Sequence, residues 1–169
     1  METKKKLDLL ITSFESVLYD EDYEFLKNME TKNLAGDNSE RYRFWEWTQG
    51  VGLYGLWKIY EETKDEAVFN KLLKYYERQM TIGLPACNIN TTAPLLTLTY
   101  VAEKTGNQEY MNICHDWACW LIDELPKTKE GGFQHLTSDT LNEQELWDDT
   151  LFMAVLFLAR MGVVENNKE

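Results

Sequence analysis

The sequence predicts an all-α protein built from helical hairpins, and three observations carry this prediction. Apolar residues recur at helical spacing, two kinds of helix alternate along the chain, and the hairpins repeat. No stretch of useful length shows the alternation of apolar and polar residues that is typical of a half-buried strand. With 169 residues, the chain has the size of one ordinary domain, and we assign residues 1–169 to a single domain.

Three segments are predicted to be amphipathic helices. In the first, steps of 3, 1, 3 and 4 residues place one set of apolar side chains on a single face: Leu7, Leu10, Ile11, Phe14 and Leu18. The same pattern recurs within 69–80 and 110–125. Charged residues occupy the opposite faces, so we expect these helices on the outside of the fold.

Three other segments, 51–60, 93–102 and 150–159, are apolar on nearly every side. Such helices need cover all round, which favours an inner ring inside an outer ring of amphipathic helices. An offset of 42 residues aligns Leu53 with Leu95, and an offset of 56 aligns Leu95 with Leu151. Repeated hairpins form solenoids or closed toroids. The alternation favours the toroid over a solenoid of 34-residue repeats.

Long irregular segments at 30–49, 82–92 and 126–149 precede the three inner helices. Because hairpins are antiparallel, the inner helices should all begin at one rim of the ring. Long loops are often functional. These loops contain carboxylates, carboxamides, a histidine and tryptophans, and 13% of all residues are aromatic. Aromatic rings can stack on sugar faces, and polar side chains can bind sugar hydroxyls. These residue types therefore suggest a carbohydrate site but do not identify the carbohydrate.

Charge and cysteine content exclude several classes of protein. Lys and Arg total 17 against 29 Asp and Glu, a net charge of −12, which argues against a partner that is a nucleic acid or an anionic membrane. No apolar run approaches the roughly 18 residues that a membrane span needs. Three cysteines without a C-x-x-C motif indicate neither a disulfide framework nor a zinc site. We expect a reduced, cytoplasmic chain without metal or cofactor.

Four motifs occur in order at 45–56 (WEWTQGVGLYGL), 88–100 (NINTTAPLLTLTY), 130–135 (EGGFQH) and 146–153 (LWDDTLFM). From about residue 40 to about 162 the chain resembles glycoside hydrolase family 105, the unsaturated rhamnogalacturonyl hydrolases, which are relatives of family 88. The resemblance implies an (α/α)6 six-hairpin barrel. It also implies a substrate, namely a pectin-derived (rhamnogalacturonan) oligosaccharide with a 4,5-unsaturated uronic acid at its non-reducing end.

The resemblance further implies how the residues act. An acid protonates C4 of the enol ether, water adds at C5, and the hemiketal collapses to release the next sugar. Matched motif by motif, Asp149 is the catalytic acid and base, while the other matched residues are expected to bind substrate: Glu46, Trp47, Asn90, His135 and Trp147. Many family members carry a second aspartate where Asn90 stands. Since Asn exchanges no proton, catalysis would then depend on Asp149 alone.

Structural alternatives exist for most of these residues. Asp149 and Asp148 are also well placed to cap the last helix, and Asn90 to cap the second inner helix. Trp45 and Trp47 are alternatively core residues. Burial against Trp147 would favour the neutral acid form of Asp149. Arg41 and Arg43 are expected in a solvated loop, or alternatively as partners of the uronate carboxylate, and His115 is expected to be a surface or a packed residue of an outer helix.

The chain supplies three inner helices, whereas the implied barrel needs six. We therefore expect an N-terminal half of the enzyme, a fragment whose segment 150–159 exposes one apolar flank. Exposed Leu and Phe cost about 1.5–3 kcal/mol each, which predicts a homo-oligomer, aggregation or marginal stability. The alternative function is a non-catalytic, truncated homologue that acts as a helical-repeat interaction module or a sugar-binding module.

Overall fold

The computed structural model describes residues 2–18, 36, 41 and 43–166. Within these ranges the helices, in chain order, are α1 (Glu2–Val17), α2 (Trp47–Thr63), α3 (Glu66–Ile82), α4 (Ile89–Thr105), α5 (Gln108–Asp123) and α6, which begins as a π-helical segment (Leu151–Val155) and continues as an α-helix (Leu156–Val164). No strand occurs in the described part, where Lys127 and Phe133 form an isolated antiparallel bridge. The all-α prediction is confirmed.

Local capping explains where the helices begin. The side chain of Asp65 accepts a hydrogen bond from the backbone of Ala67 at the start of α3. Asn107 does the same for α5, and Asn88 exchanges hydrogen bonds with Thr91 at the start of α4. Such caps satisfy backbone N–H groups that lack a partner in the first turn.

The helix α4 lies at the centre of the fold. It packs against α2, α5 and α6, and residues 91–99 are all buried. The predicted cover on every side is therefore found for α4. It is incomplete for α2 and α6, which expose Val51 and Leu151. The exposed flank expected for α6 is confirmed, with 62% of Leu151 accessible.

A glycine sets the closest approach between inner helices. A Cβ atom added to Gly50 of α2 would lie 2.6 Å from the Cβ of Ala93 in α4. Nearby, the indole Nε1 of Trp45 donates a hydrogen bond to the carbonyl of Thr91 at 2.8 Å. Trp45 is fully buried and stacks on Tyr75. The core alternative for Trp45 is therefore the correct one, and the starts of α2 and α4 are held side by side.

The segment between α5 and α6 folds back over the start of α4. The backbone N–H of Ile89 donates to the carbonyl of Leu136 at 2.8 Å, and the backbone N–H of His135 donates to the carbonyl of Glu145 at 3.0 Å. Gly131 takes a left-handed conformation at φ 84° in the turn before this crossing, which costs glycine little.

Two of the predicted irregular segments differ from expectation. The segment expected at 82–92 is shorter, because α3 extends to Ile82 and the Asn88 cap starts α4 at Ile89. Most of the segment expected at 30–49 lies outside the described residues, and α2 begins at Trp47. Among the described helices, none has the length and apolar character needed to cross a bilayer.

Candidate active site

The three inner helices begin at one rim, as predicted. Ser138, in the segment before α6, donates a hydrogen bond to the carboxylate of Glu46 at the start of α2. Its hydroxyl also accepts from Asn88 Nδ2, at the start of α4, at 3.0 Å. In the same segment, His135 Nδ1 lies 2.8 Å from the hydroxyl of Thr150, which precedes α6. The segment that carries His135 and Ser138 thus connects all three helix starts.

Glu46 is a buried carboxyl group at this rim, with 8% of the residue exposed. Burial raises its pKa from 4.5 to about 7, and the negative charge of Asp139 acts in the same direction. Hydrogen bonds from Ser138, Asn90 and the backbone of Trp47 oppose this rise. Glu46 therefore exchanges its proton near neutral pH, which the sequence did not indicate.

His135 is buried and makes three contacts. Its ring is parallel to that of Trp147, with the centroids 4.4 Å apart. Its Nδ1 atom lies 2.8 Å from Thr150 Oγ1 and 3.5 Å from Asp149 Oδ1. Burial lowers the pKa of His135 more than the nearby carboxylates raise it. The imidazole is consequently neutral at neutral pH, and its contact with Asp149 is not a full ion pair.

Asp149 faces this histidine but is not enclosed. Its side chain is 53% exposed, so the expected burial against Trp147 is wrong. Trp147 covers His135 instead. The carbonyl of Asp149 accepts hydrogen bonds from Phe152 and Met153 at 3.0 Å each, so the residue does stand at the start of α6. Its carboxylate is open to a ligand from the solvent side.

Two tryptophans flank the rim with exposed ring surface. Trp47 is 47% and Trp147 is 48% exposed. The indole of Trp147 donates to Glu145 Oε2 at 2.8 Å, and one of its faces is occupied by His135. Its other face is the one a flat ligand can use. The core alternative for Trp47 does not hold.

Beside the rim, Trp147 and Asp148 line a shallow cavity of about 290 Å³ together with apolar side chains of the same region: Phe133, Leu146, Leu151 and Val155. Asp148 is thus on the cavity wall, whereas Asp149 lies at His135. The structure thus gives the two adjacent acids different surroundings, whereas by sequence position both could equally cap the last helix.

The remaining candidates lie apart from these contacts or serve the fold. Arg41 is exposed beside Gly83, and the guanidinium of Arg43 stacks over the ring of Phe44 at 4.4 Å. His115 is exposed on α5, which is the surface alternative of the two given for it. Ser138 was missed, because a serine in a polar loop carries no signal of the two helix starts it joins. Among the described residues, no cluster of three His, Cys, Asp or Glu side chains is placed to hold a metal ion.

Comparisons with known proteins identify a family and several relatives of this chain. The family model described as Glycosyl Hydrolase Family 88 matches residues 21–169. The unsaturated rhamnogalacturonyl hydrolase YesR of Bacillus subtilis (strain 168) is 32% identical over 127 residues, which cover 74% of this chain and 37% of YesR.

Two solved structures, each described as a possible member of the GH105 family, superpose on 96% of this chain. The one from Klebsiella pneumoniae subsp. pneumoniae MGH 78578 has a TM-score of 0.75 at 33% identity. The one from Salmonella enterica subsp. enterica serovar Paratyphi A str. ATCC 9150 has a TM-score of 0.79 at 34% identity.

The chain spans 37% of YesR and 43% of each solved chain. The predicted resemblance and the partial (α/α)6 toroid are both confirmed. With 149 of its residues, 21–169, inside the family model, the chain belongs to glycosyl hydrolase family 88.

Proposed function

We propose that this chain forms part of the active site of a glycosidase of the unsaturated rhamnogalacturonyl hydrolase type. The substrate is an oligosaccharide from pectin whose non-reducing end is a 4,5-unsaturated uronic acid. One observation carries the proposal: Asp149 Oδ1 lies 3.5 Å from Nδ1 of the buried His135, at the rim where three inner helices begin. A reachable carboxyl group beside a fixed imidazole is suited to proton transfer.

In the proposed reaction, Asp149 gives a proton to C4 of the enol ether and takes one from the water that adds at C5. The two transfers balance, so a single carboxyl group suffices. The hemiketal formed at C5 then opens and releases the next sugar. A substrate bound at the rim over His135 would cover the carboxylate of Asp149, which is 53% exposed without it. Loss of solvent favours the neutral acid that the first step needs.

The other rim residues hold the substrate in this proposal. The rings of Trp47 and Trp147 stack on sugar faces, and the amide of Asn90 and the carboxyl of Glu46 bind hydroxyl groups. His135 holds Asp149 in place from beneath, since its own ring is buried against Trp147. A reduced, cytoplasmic setting is proposed because three cysteines without a C-x-x-C motif indicate no disulfide framework.

A second candidate is a sugar-binding module without catalysis. One observation favours it: the side chain of Asp149 is half exposed. In this candidate the tryptophans bind the sugar while the carboxyl group lacks the enclosure that acid catalysis requires.

The test uses an unsaturated uronyl disaccharide, whose double bond absorbs near the ultraviolet edge. We expect the wild-type chain to remove this absorbance, Asp149→Asn to abolish the loss, and Asp148→Asn to change it little. Calorimetry on the same samples measures binding. Binding with a persistent double bond in the wild-type chain would support the sugar-binding module. If neither binding nor turnover occurs, both candidates fail.

A further inference from the structure

A second group of reactive side chains lies away from the rim, where α5 meets the end of α6. His115 and Cys119 are four residues apart on α5, so they share one face of the helix. Cys119 Sγ lies 3.6 Å from His115 Nε2, and Glu165 Oε1 lies 2.7 Å from His115 Nδ1. The thiol contacts the imidazole, and the imidazole contacts the carboxylate. Such a series of contacts can activate a nucleophile.

The carboxylate of Glu165 determines which nitrogen of His115 carries the proton when the ring is neutral. Glu165 accepts a hydrogen bond from Nδ1–H, so in the neutral ring Nε2 is left unprotonated beside the thiol. The hydrogen bond and charge of Glu165 also raise the pKa of His115. The neutral ring can therefore accept the thiol proton at Nε2.

The other two cysteines are less accessible to a reagent. Cys114 is fully buried, and burial raises the pKa of its thiol far above the ordinary value. Cys87 is half buried near the start of α4, whereas Cys119 is exposed. At Cys119, exposure and a histidine within reach of the thiol proton therefore coincide.

Opposing charges limit the effect at Cys119. Asp116 and Asp123 lie about one helical turn away on α5, so two negative charges stand near the thiol. Any enhanced reactivity of Cys119 must therefore depend on His115 and Glu165.

We propose that Cys119 is a modification site for small disulfides, with His115 as its proton acceptor and Glu165 as the residue that positions His115. His115 Nε2 takes the thiol proton, and the Cys119 sulfur attacks one sulfur of the disulfide. A new S–S bond forms as the old one breaks, and the other half leaves as a thiolate. One S–S bond replaces another and the leaving thiolate takes the electron pair, so the small disulfide is itself the oxidant and no other is needed.

The test measures the rate at which each cysteine reacts with 4,4′-dithiodipyridine, a neutral disulfide that the net charge of −12 does not repel. Mass spectrometry of peptides assigns the label to individual residues. In the wild-type chain we expect Cys119 to react first and Cys114 only after unfolding. The variant His115→Gln should slow Cys119 about fivefold at pH 7, the Boltzmann equivalent of one unit-charge interaction at about 4 Å in water.

Two further variants separate positioning from a general change in charge. Glu165→Gln should slow Cys119 and move the inflection of its rate–pH profile, since the acceptor of the Nδ1 proton loses its negative charge. Asp116→Asn removes an acid of equal charge without touching that hydrogen bond, so it should not slow the reaction. Circular dichroism confirms that these exposed substitutions keep the helices. A wild-type rate in His115→Gln, or faster labelling of Cys87 than of Cys119, would overturn the proposal.

Discussion

Replacing Glu46 by glutamine is expected to stabilise the folded chain at and above neutral pH. The carboxyl is buried, with its pKa raised from 4.5 to about 7 by desolvation. Between these pH values the folded chain keeps a proton that the unfolded chain releases. The free energy of unfolding therefore falls as pH rises through this range, and above pH 7 the buried charge is carried in full.

The size of the effect follows from the same two values. The difference between 4.5 and about 7 corresponds to about 3–4 kcal/mol, at about 1.4 kcal/mol for each pH unit. The glutamine side chain of the Glu46→Gln variant cannot ionise, so it avoids this cost. Its amide oxygen can still accept from Ser138, and the amide of Asn90 can turn to accept from the new N–H groups. We expect the gain over wild type to be near zero at pH 4.5 and to approach about 3–4 kcal/mol at pH 8.

The assay is urea unfolding followed by tryptophan fluorescence between pH 4.5 and 8, on wild type and variant together, so that the titration of other groups cancels. The exposed Glu143, in the segment that crosses the rim, provides a matched control. Glu143→Gln makes the same chemical change without relieving burial and should differ from wild type by at most a few tenths of a kcal/mol. A difference between Glu46→Gln and wild type that stays constant with pH would refute the reasoning.

Two further predictions concern packing. Gly50→Ala should destabilise the chain by about 1–3 kcal/mol in urea unfolding, because the added methyl would lie 2.6 Å from its neighbour in α4. Gly55→Ala, which meets nothing within 4 Å, should instead stabilise by about 0.5–1 kcal/mol, and equal effects at both sites would contradict the close approach. Replacing Leu151 and Val155 by serine should reduce self-association in light scattering, since both expose apolar surface of α6. The equally apolar Ile122→Ser on α5 should leave association unchanged, and identical results would show that this flank is not the contact.

Local pattern determined the helices and their layering. The periodicity of apolar residues depends only on neighbours three and four positions apart, so α2, α4 and α6 and the outer α3 and α5 could be predicted from it. The resemblance to the family was predicted from four sequence motifs. The shared rim followed from hairpin geometry, which fixes direction once the helices alternate.

Contacts between distant segments needed the tertiary structure. Ser138 meets Glu46 across 92 positions of sequence, and Glu165 meets His115 across 50. No spacing rule predicts such pairs, because their geometry depends on how the helices pack. The same holds for solvent access. Whether Trp147 covers Asp149 or His135 is decided by where the segment before α6 lies, and so is the burial that moves the pKa of Glu46 to about 7. Sequence thus predicted most of the residues that gather at the rim, though not Ser138, and packing decided which of them are buried, paired or open to a ligand.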